Sequence, residues 1–198
     1  MELVKIQKKL LNSGLKVFTK REFRRLLGIS EVSTKKLLEG YTKRDALMRL
    51  KRGLYALKFN RPSAHLIANM LYRPSYISFE TALSFHNMIP EAVHGFTSAT
   101  TRKPKKFTVE NQVFSYHKIK KTAFTGYQLT KIGSENVLIA EAEKAMADYL
   151  YFIFLKKKKM NDRLRTKGIN LKKLLNYARL FGRPKFREWV KNAIAGTA

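Results

Sequence analysis

Charge divides this chain into three parts before any other feature is considered. Residues 1–61 carry 17 Lys and Arg against 5 Asp and Glu, and residues 156–198 carry 14 against 2. Residues 62–155, between them, carry 10 against 7. Like charges held close repel one another, so both basic ends must keep their cations at the surface. The near-neutral middle is where a larger core can form. Over all 198 residues the balance is 41 basic to 14 acidic, a net charge of +27. Such a chain attracts polyanions: nucleic acid first, an acidic protein second.

The remaining composition excludes several classes. An apolar fraction of 44% with 12% aromatic residues excludes a wholly disordered chain. Cysteine is absent, so disulfides, thiol nucleophiles and cysteine-ligated zinc are excluded. The segment Met1-Glu2-Leu3-Val4-Lys5 lacks the apolar run of a signal peptide. The longest strongly apolar stretch, Tyr149 to Leu155, falls far short of the ~20 residues of a membrane helix. A soluble cytoplasmic protein with no membrane partner is expected, and Lys156 to Lys159 reads as the basic last turn of a buried helix.

The first sixty residues follow one recognisable order. Leu3, Ile6, Gln7, Leu10 and Leu11 have helical spacing, closed by Ser13-Gly14. Thr19 suits the N-cap of a second helix with Phe23, Leu26 and Leu27 inward and Lys20, Arg21, Arg24 and Arg25 outward. Gly28 stops it, Ile29 packs into the corner, and Ser30 caps a third helix running to about Tyr41. Two helices joined by a short glycine-containing turn form a helix-turn-helix pattern. Ala46 to Leu57 then reads as a hairpin bent at Gly53, with Lys51 and Arg52 projecting from its tip. Helix, helix, helix and basic hairpin is the order of a winged helix.

In that arrangement the third helix presents Ser33, Thr34, Lys35 and Lys36, while Val32, Leu37, Leu38 and Tyr41 pack inward. Arg21, Arg49, Lys51 and Arg52 complete the expected DNA-binding set. Ser and Thr discriminate poorly between bases, so the operator sequence is not legible.

Asn60-Arg61-Pro62-Ser63 is the expected joint, giving a winged helix-turn-helix at 1–61 and an α+β domain at 62–198. Ser63 and Ser78 are read as N-caps, the second opening a helix with Phe79, Ala82, Leu83 and Phe85 buried. Strand-like stretches follow at Phe96–Thr101, Lys106–Val109, Val113–Lys118, Gly126–Lys131 and Asn136–Ile139. A helix from Glu141 to about Leu155 and two lysine-rich helices, near Leu171–Phe181 and Phe186–Ile194, complete the chain. The fold class is α+β, a small sheet flanked by helices.

The run Ser75-Tyr76-Ile77-Ser78-Phe79-Glu80-Thr81-Ala82-Leu83-Ser84-Phe85-His86-Asn87-Met88-Ile89-Pro90-Glu91 resembles the central signature of the AbiEi antitoxin family of type IV toxin–antitoxin systems. Thr97 to Arg102, Phe114-Ser115-Tyr116-His117, Ala140 to Asp148, and the hairpin end Arg52-Gly53-Leu54-Tyr55-Ala56 match in order. Asn87 stands where the family usually has glycine, and it still permits a left-handed turn. The resemblance covers most of residues 15 to 155. It implies a repressor of its own promoter, binding double-stranded DNA, that counteracts a co-encoded nucleotidyltransferase-like toxin without needing a direct complex.

No cofactor, metal site or catalytic residue is expected. His65, His86, His94 and His117 lack metal-ligand spacing, and His86 is expected to hydrogen-bond within its turn. Glu143, Lys144 and Asp148 imitate a nuclease set, but Lys144 and Asp148 have the spacing of an ordinary helix ion pair. Glu80 and Glu91 can pair with basic residues or cap helices, and Ser84 lacks a nucleophile-elbow setting. The alternative function is a nucleic-acid-processing enzyme or RNA-binding accessory targeted by the helix-turn-helix. The C-terminal block offers a second basic surface: Lys172, Lys173, Arg179, Arg183 and Lys185. Continued DNA contact is the first expectation for it, and an acidic or tRNA-like partner the second.

Overall fold

The computed structural model describes residues 3–90 and 95–195. Glu91, a candidate for pairing or capping, and His94, a candidate ligand, lie outside them. Among the described residues the chain is mixed α+β with two sheets, and it divides into two compact units, Met1–Leu71 and Tyr72–Ala198.

The first unit runs α1 (Leu3–Asn12), β1 (Val17–Thr19), α2 (Lys20–Leu27), α3 (Glu31–Lys43), β2 (Leu47–Lys51), β3 (Leu54–Leu57) and α4 (Ala64–Leu71). The three strands form one antiparallel sheet in the order β1-β3-β2. Its short first strand pairs Phe18 with Tyr55 and Thr19 with Leu54. Ile6, Leu10, Phe18, Phe23, Leu27, Leu38, Tyr41, Leu47 and Leu57 make the core. The expected joint after Arg61 moves to Leu71. Pro62 is buried, and the Lys51 amine donates to the Leu71 carbonyl at 2.5 Å, so α4 belongs with the first sheet.

The second unit opens with β4 (Ser75–Ile77), a strand the sequence did not announce, and α5 (Phe79–Phe85). It continues with β5 (Gly95–Thr100), β6 (Lys105–Val109), β7 (Gln112–Lys118), β8 (Tyr127–Ile132), β9 (Glu135–Ala140), α6 (Ala142–Phe154), α7 (Leu171–Arg179) and α8 (Pro184–Ala195). The sheet order is β6-β7-β5-β4-β9-β8. Antiparallel hairpins form both edges, while β5–β7 and β4–β9 pair in parallel. β4 is short enough to look like a loop in sequence. It is nevertheless central, and all three of its residues are buried.

Helix α6 is the axis of this unit, with every residue from Lys144 to Phe152 buried. Around it, Phe181 stacks on Tyr151 at 4.1 Å between ring centres, and Phe186 packs edge-on to the same ring at 5.2 Å. The tail helices are thereby fixed to the second unit. The lysine run lies beyond the helix, which ends at Phe154, with Lys156 in a left-handed turn at φ 56°. No helix among the described residues is long and apolar enough to cross a membrane.

Candidate nucleic-acid interface

Two hydrogen bonds bring three segments of the first unit together. Pairing of Thr19 with Leu54 places the start of α2 beside the β2–β3 bend, where the Lys20 backbone N–H donates to the Gly53 carbonyl at 3.1 Å. Gly53 makes that two-residue bend at φ 79°, a conformation that side chains with a Cβ rarely adopt. The Lys20 amine then donates to Glu31 Oε1 at 2.8 Å, on the first residue of α3. The hydrogen bond from Lys20, its charge, and the more distant Arg24 hold the Glu31 carboxyl below its usual range. The hairpin bend and the starts of α2 and α3 therefore share one end of the unit.

Local capping fixes those starts. Thr19 and Glu22 form a reciprocal capping box, with N–H to side-chain distances of 3.2 and 2.7 Å. Gly28 closes α2 at φ 64°, and Ser30 Oγ accepts the Ser33 N–H at 3.2 Å to open α3.

Side chains depart from expectation in three places. Thr34, expected at the interface, is fully buried, and its hydroxyl donates to the Ser30 carbonyl at 2.7 Å. Val32, expected in the core, is 73% exposed. The phase is set by Leu38 and Tyr41, and Val32 lies about 180° around the helix from Tyr41 at 3.6 residues per turn. Lys51 does not project from the hairpin but reaches back to the last carbonyl of α4, where a cation suits the helix dipole. The outward side of α3 is thus Val32, Ser33, Lys35 and Lys36. Arg49 and Arg52 are exposed on the hairpin, and Arg21 lines an open cleft of ≈ 690 Å³ with Arg24 and Arg25.

Residues of the segments 75–90 and 140–148 converge in the interior of the second unit. Asp148 and Lys144 are fully buried and joined by an ion pair. Asp148 also accepts from Tyr76 Oη at 3.0 Å and from Ser78 Oγ at 2.7 Å. Ser78 occupies the N-cap position of α5 but makes no cap bond, because its hydroxyl is engaged by Asp148. Lys144 Nζ lies 4.9 Å from the centre of the Phe181 ring. Burial pushes the Lys144 amine down and the Asp148 carboxyl up, while the attraction between them opposes both shifts. The expected helix ion pair is present, but as the centre of a core.

Other polar residues are also structural. His86 Nε2 donates to the Ala140 carbonyl, 2.8 Å away on β9, rather than bonding within its own turn. Glu80 pairs with Lys158 at 2.5 Å. His117, wedged edge-on against Phe79 and Phe152, has its pKa lowered to about 4 by burial and then by Lys158. Phe85, expected to be buried, is 39% exposed. Among the described residues no group of His, Asp and Glu could hold a metal ion.

Within the second basic surface, Lys172, Arg179, Arg183 and Lys185 are exposed. Lys173 is not free for a polyanion, because it bridges Glu141 at 2.8 Å and Glu143 at 3.5 Å. A further cationic group escapes sequence reasoning: Arg102, Lys103, Lys105 and Lys106 are all exposed around the start of β6. Arg102 lies 4.4 Å from the Tyr72 ring centre and Lys105 5.1 Å from that of Phe107. Its signal, four cations in five residues, disappears when charge is averaged over 62–155. No protein-family model and no curated protein matches this chain.

Proposed function

We propose that the first unit is a winged-helix DNA-binding module, and that the chain is a transcriptional autorepressor and antitoxin opposing a co-encoded nucleotidyltransferase-like toxin. The convergence of the Arg52-Gly53 bend with the starts of α2 and α3 carries the DNA-binding half. In this reading the outward side of α3 enters the major groove, where Ser33, Lys35 and Lys36 meet base edges or phosphates. Val32 is available for apolar contact with a thymine methyl group. Arg52 and Arg21 grip phosphates on either side.

The antitoxin half rests on the resemblance of residues 75–91 and 140–148 to the AbiEi family. In this reading the toxin's effect is opposed without a stable complex.

The test measures binding of the full chain to duplex DNA from its own promoter across a salt series. Replacing Lys36 and Arg52 by Gln lowers affinity and flattens the dependence of log K on log salt by about 0.9 for each phosphate left unneutralised. Ser33→Ala changes the ranking of operator variants. Identical affinity and slope in the double variant remove the winged-helix function.

A further inference from the structure

The turn between α7 and α8 carries a concave surface lined by three arginines. Gly182 adopts φ 62° there, and Arg179, Gly182, Arg183, Pro184 and Arg187 line a cavity of ≈ 320 Å³. All three arginines are exposed, and among the described residues none is paired with a carboxylate. Lys120 Nζ lies 3.2 Å from where a Cβ on Gly182 would stand, adding a fourth cation at the turn. A neighbouring cavity of ≈ 350 Å³, lined by Leu175, Pro184, Arg187, Glu188 and Lys191, shares Pro184 and Arg187 with the first. Lys173, also on α7, is by contrast already neutralised by Glu141 and Glu143.

We infer that this double cavity binds one nucleotide unit, its phosphate on the three guanidinium groups and its nucleoside against Leu175 and Pro184. Guanidinium is planar, permanently charged and able to donate two parallel hydrogen bonds, a match to phosphate that scattered lysines lack. The adjoining cavity offers Leu175 and Pro184 as apolar lining and, in Glu188, an acceptor for ribose hydroxyls or a base amino group. Each cavity falls in the range of about 300–1,000 Å³ typical of small-molecule sites. A duplex backbone is convex and tracks along a surface. A recess of this shape instead selects a free mononucleotide or the phosphorylated end of a strand, which share the same chemistry. Every residue of the site belongs to the second unit, apart from the DNA-binding residues of the first.

The experiment titrates the full chain calorimetrically with AMP, adenosine and inorganic phosphate, then with an RNA hexamer bearing a 5′-phosphate or a 5′-hydroxyl. Two charge-matched variants accompany it: Arg183→Gln with Arg187→Gln inside the cavity, and Lys172→Gln with Lys185→Gln outside its lining. AMP binding weakened about tenfold or more by the arginine pair, and about twofold or less by the lysine pair, identifies a mononucleotide site. No AMP binding, with an arginine-dependent preference for the 5′-phosphorylated hexamer, identifies a strand end as the ligand. Equal weakening by both pairs, or no phosphate-dependent binding by any probe, overturns the inference. Inorganic phosphate binding as tightly as AMP removes the nucleoside half.

Discussion

Helices α3 and α6 are each thirteen residues long, yet they have opposite relations to their surroundings. Helix α3 buries Thr34, Leu38 and Tyr41 and leaves the rest accessible, whereas α6 buries nine successive residues. An amine and a carboxylate meet at each. Lys20 and Glu31 do so at the surface, where solvent and salt screen them. Lys144 and Asp148 do so with no exposure at all. Identical functional groups thus play opposite parts: the outer helix can change its exposed polar side chains without disturbing the fold, and the inner helix cannot.

Asp148→Ala is the severest challenge to this contrast. It strands the Lys144 ammonium and leaves the Tyr76 and Ser78 hydroxyls without their acceptor. Breaking a buried pair from one side destabilises by about 3–5 kcal/mol. Urea unfolding followed by Trp189 fluorescence measures it, since the chain's one Trp reports the second unit. A loss under about 1 kcal/mol would place the pair with ordinary surface pairs.

The second challenge is acid. His117 has a folded pKa of about 4 against its usual 6.5, so the unfolded state binds the proton first as pH falls. The stability due to a neutral His117 is complete above pH 6.5 and is lost as pH drops toward 4. Discounted for partial exposure, the loss is about 2 kcal/mol. In His117→Phe this increment disappears from the same fluorescence measurement, and an unchanged acid profile would refute it.

The smallest expected effect lies in the first unit, where Thr19→Ala removes the capping box of α2. It destabilises by about 1 kcal/mol. Trp189 fluorescence is blind to it, and amide hydrogen exchange faster across residues 20–27 is the readout. A change in the Trp189 transition would contradict the separation into two units.

Much of the element order is legible in the sequence because local chemistry enforces it. Thr19, Gly28, Ser30 and Gly53 act on the nearest few residues, and each does so where its chemistry predicts. The expected strands from Phe96 to Ile139 fall within two residues of those observed. Burial phase is less legible. On α3, Val32 and Thr34 are similar in shape, and only the partner surface decides which one turns inward. Lys51 looks like a hairpin-tip cation until α4 supplies a carbonyl. The i, i+4 spacing of Lys144 and Asp148 is the same on a surface as in a core, so sequence spacing could not reveal their burial. The strand order was likewise hidden, because pairing of β4 with β9 joins Ile77 to Ile139 across most of the second unit.

That last pairing has a consequence for a chain made from its N-terminus. Every strand of the first sheet has been synthesised by Leu57, and Leu71 completes the helix that accompanies them. The middle strand of the second sheet emerges next but must wait for both of its neighbours, the later of which ends at Ala140. At ribosomal speeds of about 5–20 residues per second, the delay lasts several seconds. Throughout that interval Tyr76 and Ile77 lack at least one of their two partner strands, while the first unit already has every residue it needs to fold. The nascent chain therefore passes through a stage in which one unit can be finished and the other is still vulnerable to proteases and to association with its own copies.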